Sequence, residues 1–454
     1  MEIPKFTFAI IPFKYSYSFD SIEKIAAEGG IWQEECSDYS RFYKHININL
    51  DKRNPNRSII EYKAVLSPEK SSELGFYISD KHKYLLTGRN EAGEYYRGTV
   101  WIPEIKMFVF DTNIGFISCN FIFEDNIDFE SMCELICLIK KMKFHQDNEK
   151  NKTLTMRLED QSKCINLLEI IQNTLLGEGF SVGADLFFDR SDVKRRVSAM
   201  MLSSFLFEKE ISEKEAVMYL RPLKRSQNKT HEVGFYREVD KERVLRPFKN
   251  MFWGFSPQGV ANINYVVEKI SNEKFIRSLY TTIKREYLFM TVFLLNQSYT
   301  LIDYCHAFST AADKAVSQEE IQRMHNFRLK HVFNTVSILE HYREYYEKLR
   351  NALAIDSLLH EVDEKLDSLY KKKEDQRDEY LRKIENRVVT LTLVFTILLA
   401  ILGIVSTMNA GYYLYVDVGL KNFLLLFVGT TIALAVIVFI IVMTVRKLRK
   451  TPDL

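Results

Sequence analysis

Two long charge-free runs near the C-terminal end constrain this chain more than anything else in it. Val388–Ser406 reads VVTLTLVFTILLAILGIVS, and Phe423–Val445 reads FLLLFVGTTIALAVIVFIIVMTV, each without a charged residue. A helix needs about 20 apolar residues to cross the hydrocarbon core of a bilayer, and both runs reach that length. The alternative, burial in a soluble core, would have to hide two such helices in succession. The flanks give a direction. Lys371, Lys372, Lys373, Arg377, Arg382, Lys383 and Arg387 precede the first run, and Arg446, Lys447, Arg449 and Lys450 follow the second. Flanks rich in Lys and Arg stay on the cytoplasmic side. The expectation is therefore a multi-pass protein of the cell's inner (plasma) membrane with both termini cytoplasmic. The loop Thr407–Asn422 would lie outside, with Tyr412, Tyr413 and Tyr415 at the outer interface.

The remainder reads as soluble protein. The 454 residues, with a formal net charge of +2, suit two or three domains. They lack the strong basic excess of a dedicated nucleic-acid binder, so no nucleic-acid partner is expected. The cysteines are scattered, no signal peptide is legible in Met1–Phe13, and reduced thiols are expected. Cys133 and Cys137 lie one helical turn apart, which fits buried core cysteines better than a metal pair lacking further ligands.

Between Lys5 and Glu124, strand-like runs rich in β-branched and aromatic residues alternate with turn signals: KFTFAIIPF, RFYKHININL, RSIIEYKAVL, GFYIS, KYLLTG and IKMFVFDTNIGFISCNFIF. A turn over Asp111–Gly115 divides the last of these. Phe129–Met142 reads as a helix with Met132, Leu135, Ile136 and Ile139 on one side, and a second helix is expected over Gln161–Leu176. MLSSFLF and NMFWGFSPQGVANINYVV read as further strands around a helix near Glu213–Leu220. Residues 1–270 are thus expected to form a cytosolic α+β sensor domain, with a subdomain break near 150. Residues 271–387 would form a helical stalk, 388–445 a transmembrane domain and 446–454 a basic cytosolic tail.

The stalk is expected as three helices: Lys274–Lys314, Gln318–Lys348, and one from Ala352 into the first apolar run. At 1.5 Å per residue the last would be about 80 Å long. Ile355, Leu359, Val362, Leu366 and Leu369 repeat at 4-3-4-3 spacing, a seam for helix packing. Thr392, Thr396, Leu399, Gly403 and Ser406 repeat in the same way and share one face of the first apolar run. A small and hydroxylated stripe in a charge-free helix faces other helices or water. It serves either a closed bundle or a conduit around an axis.

The layout of a long cytosolic helix, a first span ending in Thr407-Met408-Asn409, a short outer loop, a second span and a basic tail resembles the CorA magnesium-channel superfamily. The signature of that family at this position is Gly-Met-Asn. The resemblance covers about Lys274–Lys450 and departs from the signature at Thr407. It implies a homopentamer with the first spans lining one pore, Asn409 in a ring at the outer mouth, and Mg2+ or another divalent cation as the transported or regulatory ion. The length of chain before the first span is similar to the CorA-like branch associated with type III CRISPR systems. That branch implies an antiviral effector channel gated by a nucleotide second messenger made from ATP and S-adenosylmethionine.

A phosphate-bearing adenine ligand calls for fixed cations and an aromatic platform. Lys194, Arg195 and Arg196 offer the cations, with Arg195 and Arg196 first, and Arg225 and Trp253 follow along the chain. A solvated basic surface is the other reading of these residues. Asp356, Asp363 and Asp367 occupy one side of the stalk at helical spacing, where they would bind regulatory divalent ions or stay solvated. No Walker A, HExxH or G-x-S-x-G pattern is present, so no enzyme is expected. The expected function is a ligand-gated CorA-like cation channel. A constitutive magnesium or divalent-metal transporter and a non-conducting membrane-anchored ligand-binding protein are the alternatives.

Overall fold

The computed structural model describes residues 5–35, 39–90, 93–142, 154–160, 163–183, 186–187, 199–225, 243–265, 277–310 and 318–418, with nine further positions within 424–436. The chain falls into two units, 1–366 and 367–454.

The first unit is α+β. It opens with β1 (Lys5–Tyr15), α1 (Phe19–Glu28), β2 (Trp32–Glu34), α2 (Lys44–Asn47), β3 (Ile59–Ala64) and α3 (Pro68–Leu74). The long strands β4 (Ser79–Arg89), β5 (Tyr95–Phe110) and β6 (Ile114–Phe123) follow, then α4 (Phe129–Lys140). Next come β7 (Leu154–Leu158), β8 (Cys164–Ile165), α5 (Leu167–Ile170) running into a π-helical turn (Ile171–Leu176), β9 (Phe180–Val182), β10 (Met200–Phe207), α6 (Glu213–Arg225), β11 (Val244–Phe248), β12 (Met251–Ser256) and β13 (Gly259–Tyr265). A second π-helical turn (Ile283–Tyr287) leads into α7 (Leu288–Thr310), and α8 (Gln318–His331), α9 (Glu340–Ala352) and α10 (Ile355–Val418) complete the order.

All thirteen strands join one sheet in the order β11-β12-β13-β10-β1-β6-β5-β4-β7-β8, with β2 and β3 attached through β5 and β9 through β1. The central strands are apolar on both faces, as strands covered on both sides must be. In β1 the proline is placed where it costs least. Pro12 falls between the stretch paired with β10 (Phe6–Ile10) and that paired with β9 (Phe13–Tyr15). Its carbonyl accepts from Gly183 on that side, so the N–H it lacks points into the same gap between partner strands.

One face carries Ala9, Ile11, Phe13, Ile117, Cys119 and Phe121 against α1, α4 and α6. The helix expected at Phe129 is present. Asp128 caps it by accepting from the Ser131 N–H at 2.8 Å, and Met132, Leu135, Ile136 and Ile139 are fully buried. The opposite face is covered by α7 and α9. There the rings of Trp253 and Phe255 pack on Tyr345, and Trp253 on Tyr287, at centroid distances of 4.5 to 5.1 Å.

Several expectations are corrected. Strands from both sides of residue 150 share the single sheet, so no break falls there. The helices up to Leu366 belong to the same unit as the sheet and are not a separate stalk. RFYKHININL forms α2 and turns, not a strand. Its asparagines bond backbone carbonyls instead of a ladder, Asn47 Nδ2 to Tyr39 at 2.9 Å and Asn49 Nδ2 to Lys330 at 3.0 Å. The helix expected from Gln161 begins at Leu167, where Asn166 caps it.

The helix expected over Gln318–Lys348 is broken at 332–339. Tertiary bonds satisfy the freed backbone: Tyr43 N–H to the Val336 carbonyl, and Tyr346 and Arg350 to that of Phe333. Ala354, in the left-handed region at φ 53°, separates α9 from α10. In the second unit, α10 continues to Val418, past the end expected at Thr407. The residue there is not glycine, and the Thr407 hydroxyl bonds the Gly403 carbonyl one turn back at 2.7 Å.

Candidate functional site

Two features stand out, one in each unit. In the first, a cleft of about 640 Å3 opens between the ends of β1 and the β5–β6 turn on one side and α7 and α8 on the other. The turn is Asp111-Thr112-Asn113, with Asn113 at φ 62°, a conformation asparagine tolerates far better than branched residues. The Asn113 carbonyl accepts from Tyr15 N–H at 3.2 Å, which fixes the turn to β1. Lys14, next along β1, reaches Asp303 of α7 at 2.5 Å and lies 4.7 Å from the centre of the Phe187 ring.

Asp111 is held from α8 by two neighbours. His331 Nε2 lies 2.6 Å from one carboxylate oxygen and Lys330 Nζ 2.9 Å from the other. Burial works against the Asp111 carboxylate, but the bonds from His331 and Lys330 outweigh it and hold its pKa below the ordinary value. Arg323 of α8 also lines the cleft, beside its own-helix partner Glu319 at 2.6 Å. The half-buried rings of Tyr17 and Tyr304 complete a lining with cations, carboxylates and aromatic surface together. Sequence reasoning missed this site. Its residues come from positions 14–18, 111–114 and 300–330, and no local spacing connects them.

In the second unit, α10 is long enough and apolar enough to span a membrane, and none of its 18-residue apolar window is buried. Leu391, Phe395, Leu399 and Leu402 are each 60% exposed or more. The helix keeps Thr392, Thr396, Leu399, Gly403 and Ser406 within an arc of about 80° at 100° per residue. The hydroxyls of Thr392 and Thr396 donate to the carbonyls of Val388 and Thr392 at 2.9 and 2.8 Å. Their protons are thus satisfied without water while the oxygens remain able to accept. A side chain at Gly403 would meet nothing within 4 Å. Asn409 lies within α10; its side chain is outside the described residues. In the second apolar run, the described positions are helical and exposed.

The other sequence-derived candidates are not brought together. Lys194, Arg195 and Arg196 lie outside the described residues, as does the side chain of Arg225 at the end of α6. Trp253 is wholly buried: its ring packs against Tyr287 and Tyr345 and its Nε1 sits 3.2 Å from the Met251 sulfur. It is a core side chain and leaves no open face on which a ligand could stack. Asp356 is paired with Arg350 at 2.5 Å and Asp363 with Arg328, so a divalent ion at either would have to displace a guanidinium. Asp367 is exposed. Among the described residues, no three His, Cys, Asp or Glu side chains cluster as a metal site.

No protein-family model matches the chain, no curated protein matches it, and no solved structure matches it.

Proposed function

We propose that this protein is a CorA-like cation channel, an α+β domain joined to a two-span pore domain, assembled as a homopentamer in the inner membrane. The observation that carries this reading is the exposed apolar stretch of α10 with its stripe of Thr392, Thr396, Leu399, Gly403 and Ser406. Exposed apolar surface is unfavourable by roughly 25 cal/mol per Å2, so this stretch requires cover. Lipid can cover the bulky sides. The stripe suits close approach of neighbouring copies, and threonine and serine oxygens are suited to line a water-filled path. Asn409, three residues beyond Ser406, would supply neutral amide oxygens at the outer mouth. Such oxygens hold a hydrated cation without trapping it.

On this reading the channel passes Mg2+ or another divalent cation down its gradient. It opens when a nucleotide second messenger, a conjugate of ATP and S-adenosylmethionine, binds the cytosolic domain, and it acts as an effector in type III CRISPR antiviral defence. The resemblance in layout and in Thr407-Met408-Asn409 supports the family assignment, and the large domain before α10 supports gating by something other than the ion itself. No step is assigned to catalysis.

The test is magnesium flux into liposomes containing the purified chain, with and without nucleotide ligand. Ligand-dependent flux is expected. Uptake that ignores ligand would replace this reading with a constitutive divalent-metal transporter. Tight liposomes under every ligand, with ligand binding retained, would leave a membrane-anchored receptor.

A further inference from the structure

We infer that the cleft between the β5–β6 turn and helices α7 and α8 is a binding site for a nucleoside phosphate, which enters by taking Lys14 and Lys330 from the carboxylates that now hold them. The consequence for gating rests on the ligand-gated channel reading; the binding itself does not.

Three features carry the inference. The volume, about 640 Å3, lies within the range of pockets that enclose ligands of nucleotide size. The cations come from separate elements, Lys14 from β1 and Arg323 and Lys330 from α8, so they can converge on one polyanionic group. Each is held by a carboxylate: Lys14 by Asp303, Lys330 by Asp111 and Arg323 by Glu319. Phosphate offers more acceptor oxygens and more charge than a carboxylate and competes well for such donors. Of the carboxylates left behind, Asp303 is 47% exposed and the more buried Asp111 keeps His331, so neither is stranded without water or a partner. The half-buried rings of Tyr17 and Tyr304 give a base something flat to pack on.

The exchange has a route outward. When Lys330 leaves, Asp111 keeps His331, so the C-terminal end of α8 stays tied to the sheet side of the cleft and any shift of α8 pivots about that end. Two residues before Lys330, Arg328 grips Asp363 in α10. Lys365 of α10 also donates to the Cys305 carbonyl of α7 at 3.4 Å. The same two helices that line the cleft therefore hold the first turns of the helix that continues into the apolar stretch.

The experiment is equilibrium binding of radiolabelled AMP and ATP to the full chain in detergent, with inorganic phosphate as a third probe. AMP or ATP is expected to bind. Lys14→Ala and Arg323→Ala are each expected to weaken binding about tenfold or more, as loss of a charge-assisted bond does. Lys214→Ala, on the exposed side of α6, should bind as wild type. Asp303→Asn carries the sign that sets this site apart: it removes the competitor for Lys14 and should tighten binding, whereas a purely structural role would weaken it. No binding of either nucleotide, nucleotide binding unchanged in both Lys14→Ala and Arg323→Ala, or phosphate binding as tight as AMP would overturn the inference. Nucleotide binding with the expected variant pattern in a chain that conducts nothing would sustain the site and overturn the channel.

Discussion

Lys140 sits on the buried side of α4, where its Nζ donates to Gln258 at 2.9 Å. Burial lowers its pKa from the ordinary 10.5 to about 8. Between those two values the unfolded chain holds more protons than the folded one, so folding stability rises with pH across that window and is penalised below it. Lys140→Met is therefore expected to stabilise the protein at pH 7 by about 2 kcal/mol. The gain should shrink as pH rises through the window, read by urea unfolding of the detergent-solubilised chain. Asp111 gives the opposite case. Its pKa is lowered, so its contribution is in place above the ordinary carboxylate value of 3.8 and is lost as pH falls through the folded value. Asp111→Asn should cost about 2 kcal/mol at pH 7, and the deficit should close in acid. Neither residue was legible as special in the sequence. Lys140 falls within the helix expected over Phe129–Met142, and Asp111 opens the expected turn. What singles each out is a partner 118 or 220 positions away.

At the scale of elements, periodicity found most of what local chemistry decides. The strands β1 and β6, the C-terminal part of β5, the helix α4 and the helix at Glu213 lie where β-branched and aromatic runs and helical spacing place them, whereas the first ten residues of β5, from Tyr95, fall outside the expected strands. It failed where tertiary bonds override local preference. Residues 332–339 have no proline or glycine to end a helix, and the break is sustained by carbonyls bonded from Tyr43, Tyr346 and Arg350. The asparagines at 47 and 49 turned a strand-like run into α2 by the same means. The pair between Arg328 and Asp363 is the contact from α8 to α10 on which the proposed gating route depends. Neutralising it with Arg328→Gln should leave nucleotide binding within about twofold of wild type. Nucleotide-dependent flux should fall about tenfold, since coupling energies of this kind run about 1–3 kcal/mol. Equal flux from both proteins in the same liposome assay would show that the link between α8 and α10 is not the route.

The whole molecule joins a sheet covered on both faces to a helix whose apolar stretch is left exposed among the described residues. The long apolar stretch of the second unit was open to direct inspection in the sequence, because about twenty residues without a charge need no partner to be recognised. The cleft was not, because it exists only after β1, the β5–β6 turn, α7 and α8 are assembled. The pore reading makes a claim about direction: one stripe of α10 meets water and the others meet lipid or protein. Single cysteines in a cysteine-free background, probed in liposomes with a charged, membrane-impermeant thiol reagent, measure that directly. Cysteines replacing Thr392, Thr396 and Ser406 should react, and modification at 396 should reduce magnesium flux. Cysteines replacing Leu391, Leu398 and Leu402 should stay unmodified. Equal protection at all six positions, or reaction confined to the leucine positions, would contradict a water-filled path along this face.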